Sequence, residues 1–155
     1  EGVDYVCQYL AKSIARDGEG ANCLLEISVI GAEKKSDALK IAKYVVNSSL
    51  VKTAIHGCDP NWGRIISAAG NSGVEFNANE LDLSIGEFQI LRKGSLRKFN
   101  KNKVVKYMKS KMNSEHLIND PLRITMNLNC GDAIGKAWGC DLSKRYVEIN
   151  SEYTT

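Results

Sequence analysis

The strongest constraint on the fold is the alternating pattern LRITMNL at residues 122–128. Its apolar positions are Leu122, Ile124, Met126 and Leu128, and polar residues separate them. Because successive strand side chains point to opposite faces, this pattern predicts a strand with one buried face. We expect residues 129–132 to turn the chain back, so that residues 133–138 pair antiparallel with this strand. Gly135 in the second strand either weakens it or admits the close approach of another backbone.

The rest of the chain alternates between helical and strand-like patterns. Apolar residues recur at helical spacing over residues 3–14 and 38–46, and Ser36 is placed to cap the second of these helices. Residues 25–29 alternate as a half-buried strand, and two further short strands are predicted at 81–85 and 88–91 with a turn between them. This order of elements predicts an α/β fold.

A third pattern lies at residues 50–70, LVKTAIHGCDPNWGRIISAAG. We interpret residues 50–55 as a short strand, and Asp59 and Pro60 as the N-cap and first residue of a helix that ends at Gly70. The turn also contains Asn61, Trp62, Gly63 and Arg64. Such a cluster at a helix N-terminus can bind an anion. The alternative, which the residues alone favour, is that Trp62 anchors the turn in the core and Arg64 pairs with a carboxylate.

Composition limits the classes of protein that fit. Hydrophobic residues are 43% of the chain and charged residues 25%, as in ordinary globular proteins. No apolar run has the length needed to span a membrane, so no membrane partner is expected. Five cysteines with no CxxC pair argue against a disulfide framework and against a zinc or other metal site. A reducing cytoplasm or plastid-like compartment is expected, and of these we predict the cytoplasm.

Basic residues are concentrated between residues 92 and 111, a segment without acidic residues. Such a run is also found in nucleic-acid-binding proteins. Here Val104, Val105, Met108 and Met112 fall at helical spacing behind an Asn100 N-cap. The lysines are therefore interpreted as the solvated face of a docked helix, and no nucleic-acid partner is expected.

His56 and Cys58 flank Gly57 and raise the question of a cysteine nucleophile activated by an imidazole. A spacing of two residues does not by itself bring the two side chains together, so we do not assign them a catalytic role.

Three long segments carry a resemblance to a known family. They are ARDGEGAN at 15–22, KTAIHGCDPNWGRIISAAG at 52–70 and WGCDLSKRYVEINSEYTT at 138–155. In this order they closely resemble the downstream, or beta, chain of the ornithine acetyltransferase family, the autoprocessed glutamate N-acetyltransferases of arginine biosynthesis. The segments between them fit as well, so the resemblance covers the whole chain and identifies it with the C-terminal part of the beta chain.

The resemblance implies a fold and a domain organisation. The family has a layered α/β/β/α, N-terminal-nucleophile-like body with a smaller α/β domain. By this resemblance, residues 1–21 belong to the large body and residues 22–112 form the smaller domain. Residues 113–155 then return to the body and bring the tail to the substrate site.

The resemblance also assigns substrate contacts. Glu19 in the DGEG segment matches a glutamate that contacts the amino-acid substrate, whereas without the family a solvated turn would be expected. Asn150 and Thr155 match the other contacts, near a C-terminus that would otherwise be read as frayed. Asp59, Asn61, Trp62 and Arg64 are candidates for supporting the site.

The implied reaction moves acetyl from N2-acetyl-L-ornithine to L-glutamate through an acetyl-threonine intermediate. The sequence begins Glu1-Gly2-Val3, so this threonine is expected outside the chain, and no catalytic residue is assigned within it. Implied partners are an upstream alpha chain and an α2β2 heterotetramer. No cofactor or metal is expected, and the use of acetyl-CoA as a second acetyl donor is left open. The alternatives are an autoprocessed aminopeptidase or amidohydrolase of similar fold and a basic nucleic-acid-binding module.

Overall fold

The computed structural model describes residues 2–112 and 120–152. The chain forms six helices, six strands and a short 3-10 turn at Ala78–Glu80 within these ranges. The helices are α1 Gly2–Arg16, α2 Lys35–Asn47, α3 Ser49–His56, α4 Trp62–Gly70, α5 Lys101–Ser110 and α6 Lys144–Ser151. The strands are β1 Leu24–Ala32, β2 Asp82–Ile85, β3 Phe88–Arg92, β4 Ser95–Leu96, β5 Leu122–Asn127 and β6 Ala133–Cys140.

The strands form one mixed sheet in the order β4-β3-β2-β5-β1-β6. β1 pairs parallel with β5 and antiparallel with β6. The expected hairpin of residues 122–128 with 133–138 is therefore wrong, because β1 lies between these two strands. The turn after β5 explains this arrangement: Cys130 and Gly131 both donate their backbone N–H to the carbonyl of Gly31 at the end of β1, each at 2.9 Å.

One face of the sheet is the core. Leu25, Ile27 and Val29 of β1 are fully buried there, and α2 packs on β1 and β6.

Helix α5 packs at the other end of the sheet, where its Val104 and Met108 are fully buried. The lysines at 101, 103, 106 and 109 lie on the exposed side of α5, as expected of a solvated face. Burial of this apolar stripe, together with the Asn100 cap, accounts for the helix.

The opposite face of the sheet is polar. Glu26 is buried there at 6% exposure and accepts a hydrogen bond of 2.8 Å from Trp138 Nε1. Arg123 and Lys136 lie beside it, with nitrogen to carboxylate distances of 3.5 and 3.9 Å. α1 lies over this side, where Lys12 Nζ is 5.5 Å from the centre of the Trp138 ring.

Three expected element boundaries are wrong, each for a local reason. Residues 50–55 are not a strand but most of α3, because Val51, Ala54 and Ile55 are spaced to bury one helical face. α4 begins at Trp62, and its N-cap is Asn61, whose side chain accepts from Arg64 N at 3.3 Å. Asp59 and Pro60 therefore precede the helix. Ser36 lies inside α2, whose N-cap position is Lys34, without a side-chain cap.

The division of the chain at residue 112 remains a prediction. Strands from both sides of that position meet in the same sheet, since β5 pairs with β2 and with β1.

Candidate functional site

Glu19 and Asn150 meet although 131 positions separate them in the sequence. Glu19 lies in the loop between α1 and β1, and Asn150 lies in the last turn of α6. Asn150 Nδ2 donates to Glu19 Oε2 at 2.7 Å and to the carbonyl of Tyr146 at 2.9 Å. Both side chains are exposed. The fold thus places a carboxylate and an amide together at an open edge, where both have capacity for a ligand.

The glycine next to Glu19 allows this loop to close on α6. Gly20 has φ +67°, and its carbonyl accepts from Ser143 Oγ at 2.7 Å. A Cβ at position 20 would lie 2.8 Å from Tyr146 N and 2.9 Å from Ser143 Oγ. Ser143 is also the N-cap of α6 and accepts from Tyr146 N at 3.2 Å. One serine therefore begins the helix and holds the loop against it.

Asp141 joins the loop that contains Glu19 to α3. Its side chain is fully buried, and Oδ1 accepts from the backbone N–H of Asn22 at 2.7 Å and of Cys23 at 3.0 Å. His56 Nδ1 lies 2.9 Å from Oδ2 and donates to it, since a carboxylate only accepts. Asn22 Nδ2 is a further donor to Oδ2 at 3.3 Å. Asp141 thus ties the end of the Glu19 loop to the last residue of α3.

This arrangement does not make a cysteine nucleophile. The imidazole of His56 bonds to Asp141, and burial raises the pKa of Cys58, which favours the unreactive thiol. Burial, followed by the nearby carboxylate of Asp141, raises the pKa of Cys23 to about 12.

A cavity of about 290 Å³ lies beside Glu19. Its lining includes Glu19, Lys52, Asp141 and Tyr146. A larger cavity of about 560 Å³, lined by Lys43, Tyr44 and Leu50 among others, adjoins it and shares Asn47 and Ser49 with it. The residues that line the smaller cavity carry charges of both signs, and its volume suits a small metabolite.

The comparison with known proteins identifies the family to which this chain belongs. A family model described as the ArgJ family matches residues 1–155. The chain belongs to the ArgJ family.

Similar proteins carry the same family name. The arginine biosynthesis bifunctional protein ArgJ of Prochlorococcus marinus subsp. pastoris is 66% identical over 154 residues, which are 99% of this chain and 38% of that protein. The chloroplastic ArgJ of Zea mays is 50% identical over 153 residues, 99% of this chain and 32% of that protein. The chain thus spans about a third of the length of these curated relatives.

A solved ArgJ structure has the same fold. The crystal structure of the arginine biosynthesis bifunctional protein ArgJ from Bacillus halodurans matches with a TM-score of 0.89 at 45% identity, covering 98% of this chain and 68% of that one. The resemblance predicted from the three sequence segments is confirmed, as is the α/β, N-terminal-nucleophile-like fold class. The expected place of the chain in the C-terminal part of the beta chain remains a prediction.

Within the ArgJ fold, the cluster at residues 59–64 joins two helices. Arg64 Nη1 donates to the carbonyl of Leu50 at 3.0 Å and to Thr53 Oγ1 at 3.3 Å, so it binds α3, and it pairs with no carboxylate of the described residues. Trp62 is 37% exposed and is not a core anchor. Asp59 accepts from Asn61 Nδ2 at 3.1 Å. None of Asp59, Asn61, Trp62 and Arg64 belongs to the described lining of the cavity beside Glu19.

Sequence reasoning missed Lys52 and Asp141 as members of the site. Both lie within the segments that carry the family resemblance, but no local pattern distinguishes them from surface charges. Thr155, the third predicted substrate contact, lies outside the described residues.

Two further results concern the described ranges only. No helix in residues 2–112 and 120–152 is long and apolar enough to cross a membrane. Within the same ranges, no group of three or more His, Cys, Asp or Glu side chains is placed to hold a metal ion.

Proposed function

We propose that this chain is part of an ornithine acetyltransferase that moves acetyl from N2-acetyl-L-ornithine to L-glutamate. Membership of the ArgJ family supports the proposal, because the relatives are named as bifunctional proteins of arginine biosynthesis. The observation that carries it at residue level is the 2.7 Å contact between Glu19 and Asn150. Two side chains that the family resemblance assigns to the substrate meet beside a cavity, although they are distant in sequence.

Glu19 has a definite part in this proposal. N2-acetylornithine carries one ammonium group, at the end of its side chain, and a carboxylate binds an ammonium group through strong, directional hydrogen bonds. Asn150 orients the Glu19 carboxylate through Oε2, which leaves Oε1 for the substrate. The nucleophile, a threonine that takes the acetyl group, lies in our proposal outside this chain.

The assembly and the location are proposed from the same resemblance. We propose an upstream alpha chain from the same precursor as the partner, in an α2β2 heterotetramer, and the cytoplasm as the compartment. The Zea mays relative is chloroplastic by name.

Replacing Glu19 with glutamine tests the function. The variant keeps an oxygen for Asn150 but loses the charge, so kcat/KM for N2-acetylornithine is expected to fall about 10- to 100-fold with little change in thermal stability. The measurement is acetyl transfer to glutamate by the complete gene product. Glu148→Gln is the matched control, because Glu148 is an exposed carboxylate of α6 whose ion-pair partner among the described residues is Arg145, at 3.4 Å. If both variants had the same kcat/KM for N2-acetylornithine, Glu19 would be a solvated turn residue and not a substrate contact.

We also propose that transfer needs no metal and no nucleotide cofactor. Exhaustive dialysis of the complete gene product against a chelator is expected to leave the rate of acetyl transfer unchanged. Loss of activity that zinc or magnesium restores would contradict this proposal.

A further inference from the structure

The charges of this chain are unevenly distributed along the sequence. The 20 residues from Arg92 to Lys111 contain nine basic residues and no acidic one, whereas the other 135 residues contain 12 basic and 18 acidic ones. This segment comprises the last residue of β3, all of β4 and α5. It lies at the β4 end of the sheet, whereas β6 forms the opposite end and leads into α6 and the Glu19 site. Positive charge is therefore concentrated at one end of the fold.

The basic side chains of this segment are open to solvent. The ninth of them, Lys111, pairs with Asp120. Among the described residues, no carboxylate forms an ion pair with any of the other eight. Asp82 contacts the segment, but it does so through the backbone N–H of Lys93, at 2.8 Å. These eight exposed residues are called the basic surface below: Arg92, Lys93, Arg97, Lys98, Lys101, Lys103, Lys106 and Lys109.

The lysines of α5 repel one another. Lys103, Lys106 and Lys109 follow at three-residue spacing on the side of the helix opposite its buried apolar stripe. Like charges at this spacing are neighbours on a helix and destabilise it. Helix formation does not require them, because the Asn100 cap and the apolar stripe already account for α5. The fold thus keeps a repulsion that a partner of opposite charge would remove.

The side chains around the basic surface favour an acidic protein segment over a nucleic acid as the partner. Leu96 of the edge strand β4 lies within the same segment and is 56% exposed, so it can contact an apolar side chain of a peptide. A phosphate backbone offers no such group. Phe99 and Tyr107 are half-buried, so they provide no platform on which bases could stack. Carboxylates with an apolar side chain among them match this surface.

We propose that the basic surface docks an acidic segment of a partner protein. Glutamate or aspartate side chains of that segment pair with the lysines of α5, and an apolar side chain contacts Leu96. The inference goes beyond acetyl transfer and does not depend on it. Because the basic surface and the Glu19 site lie at opposite ends of the sheet, a docked partner leaves the substrate site open.

Binding of model peptides to the complete gene product tests the inference. The probe is a fluorescein-labelled peptide of Glu-Glu-Leu repeats, and the comparison ligands are a Gln-Gln-Leu peptide and a single-stranded oligothymidylate of the same length. Fluorescence anisotropy is expected to show binding of the glutamate peptide that weakens about 10-fold or more from low to physiological salt. The two comparison ligands are expected to bind about 10-fold more weakly than the glutamate peptide.

Lys106→Glu separates docking from folding. The change turns the repulsion of Lys106 by Lys103 and Lys109 into attraction, so the melting temperature is expected to rise by about 1 to 2 °C. The same change is expected to weaken binding of the glutamate peptide about 10-fold. Lys43→Glu is the matched control, because Lys43 is an exposed lysine of α2 with Lys40 three residues before it. This control should bind the peptide as the wild type does.

Leu96→Ser tests the apolar contact. The variant is expected to bind the Glu-Glu-Leu peptide about 3-fold more weakly than the wild type, because apolar surface stays in water. Binding of a Glu-Glu-Ser peptide should be the same for the variant and the wild type. An equal loss with both peptides would contradict the contact with Leu96.

Three results would overturn the inference. If the wild type did not bind the glutamate peptide at low salt, the basic surface would not dock an acidic segment. Equal binding by Lys106→Glu and Lys43→Glu would place the peptide elsewhere on the protein. Tighter binding of the oligothymidylate than of the glutamate peptide would mean that the partner is a nucleic acid. None of these results bears on acetyl transfer, in which Lys106→Glu should equal the wild type.

Discussion

Replacing Gly135 with alanine is expected to destabilise the protein by about 3 kcal/mol or more, among the largest effects of any single methyl group in this fold. Gly135 is buried in β6, where the strand passes under α2. A Cβ at this position would lie closer than 3.0 Å to the backbone nitrogen of Leu39 and the carbonyl carbon of Ala38. Because these are backbone atoms of a packed helix, α2 or β6 must move as a whole to admit the methyl group.

The control for this prediction is another glycine to alanine change. A Cβ at Gly70, the last residue of α4, meets no atom within 4 Å, so Gly70→Ala is expected to be neutral or to stabilise by up to about 1 kcal/mol. Thermal denaturation of both variants beside the wild type measures the difference. If Gly135→Ala melted within a degree or two of Gly70→Ala, the close approach of α2 to β6 would not be a stabilising feature of the fold.

Local patterns predict most elements of this fold, but they do not predict which strands pair. The alternation at residues 122–128 identifies β5, and the Asn100 cap with its apolar stripe identifies α5. Pairing depends on hydrogen bonds between distant segments. The carbonyl of Gly31 receives two donors from the turn after β5, and this contact inserts β1 where a simple hairpin was expected. Nothing in residues 122–138 alone contains that information.

The misassigned strand at residues 50–55 shows a second limit. A run of four apolar residues in six positions fits a short strand as well as one and a half turns of helix. Two tertiary contacts support the helix: Arg64 donates to the carbonyl of Leu50, and Leu142 N donates to that of Lys52. The partners lie 14 and 90 positions away, so the run itself does not decide between the two structures.

The site, like the strand pairing, depends on contacts between residues that are distant in the sequence. The family resemblance identifies Glu19 and Asn150, and the fold brings them to 2.7 Å. Lys52 and Asp141 emerge only when the chain is folded, because their relevance depends on the loop at residues 17–22, α3 and the start of α6 meeting at one place. Asp141 connects the loop to α3 through its hydrogen bonds to Asn22, Cys23 and His56, and its removal should have consequences for both segments.

Asp141→Ala is expected to lower the free energy of unfolding by about 3 kcal/mol or more. The variant leaves the N–H groups of Asn22 and Cys23 without their acceptor and frees the imidazole of His56. Cys23 is fully buried, so water cannot readily replace the lost acceptor at that position. Asp141→Asn is expected to lower the free energy of unfolding by less than half as much, because its amide oxygen still accepts from the two backbone N–H groups.

Hydrogen exchange distinguishes this local account from a general loss of stability. In Asp141→Ala the amides of Asn22 and Cys23 should exchange faster by a larger factor than the amides of β5, which lie two strands from Asp141 in the sheet. Asp82→Ala is the matched control, since Asp82, the half-buried first residue of β2, also accepts from a backbone N–H, that of Lys93 at 2.8 Å, but through an exposed hydrogen bond. Asp82→Ala is expected to lower the free energy of unfolding by less than about 1 kcal/mol. Equal thermal stability of Asp141→Ala and Asp82→Ala would show that the buried carboxylate is not what holds the Glu19 loop against α3.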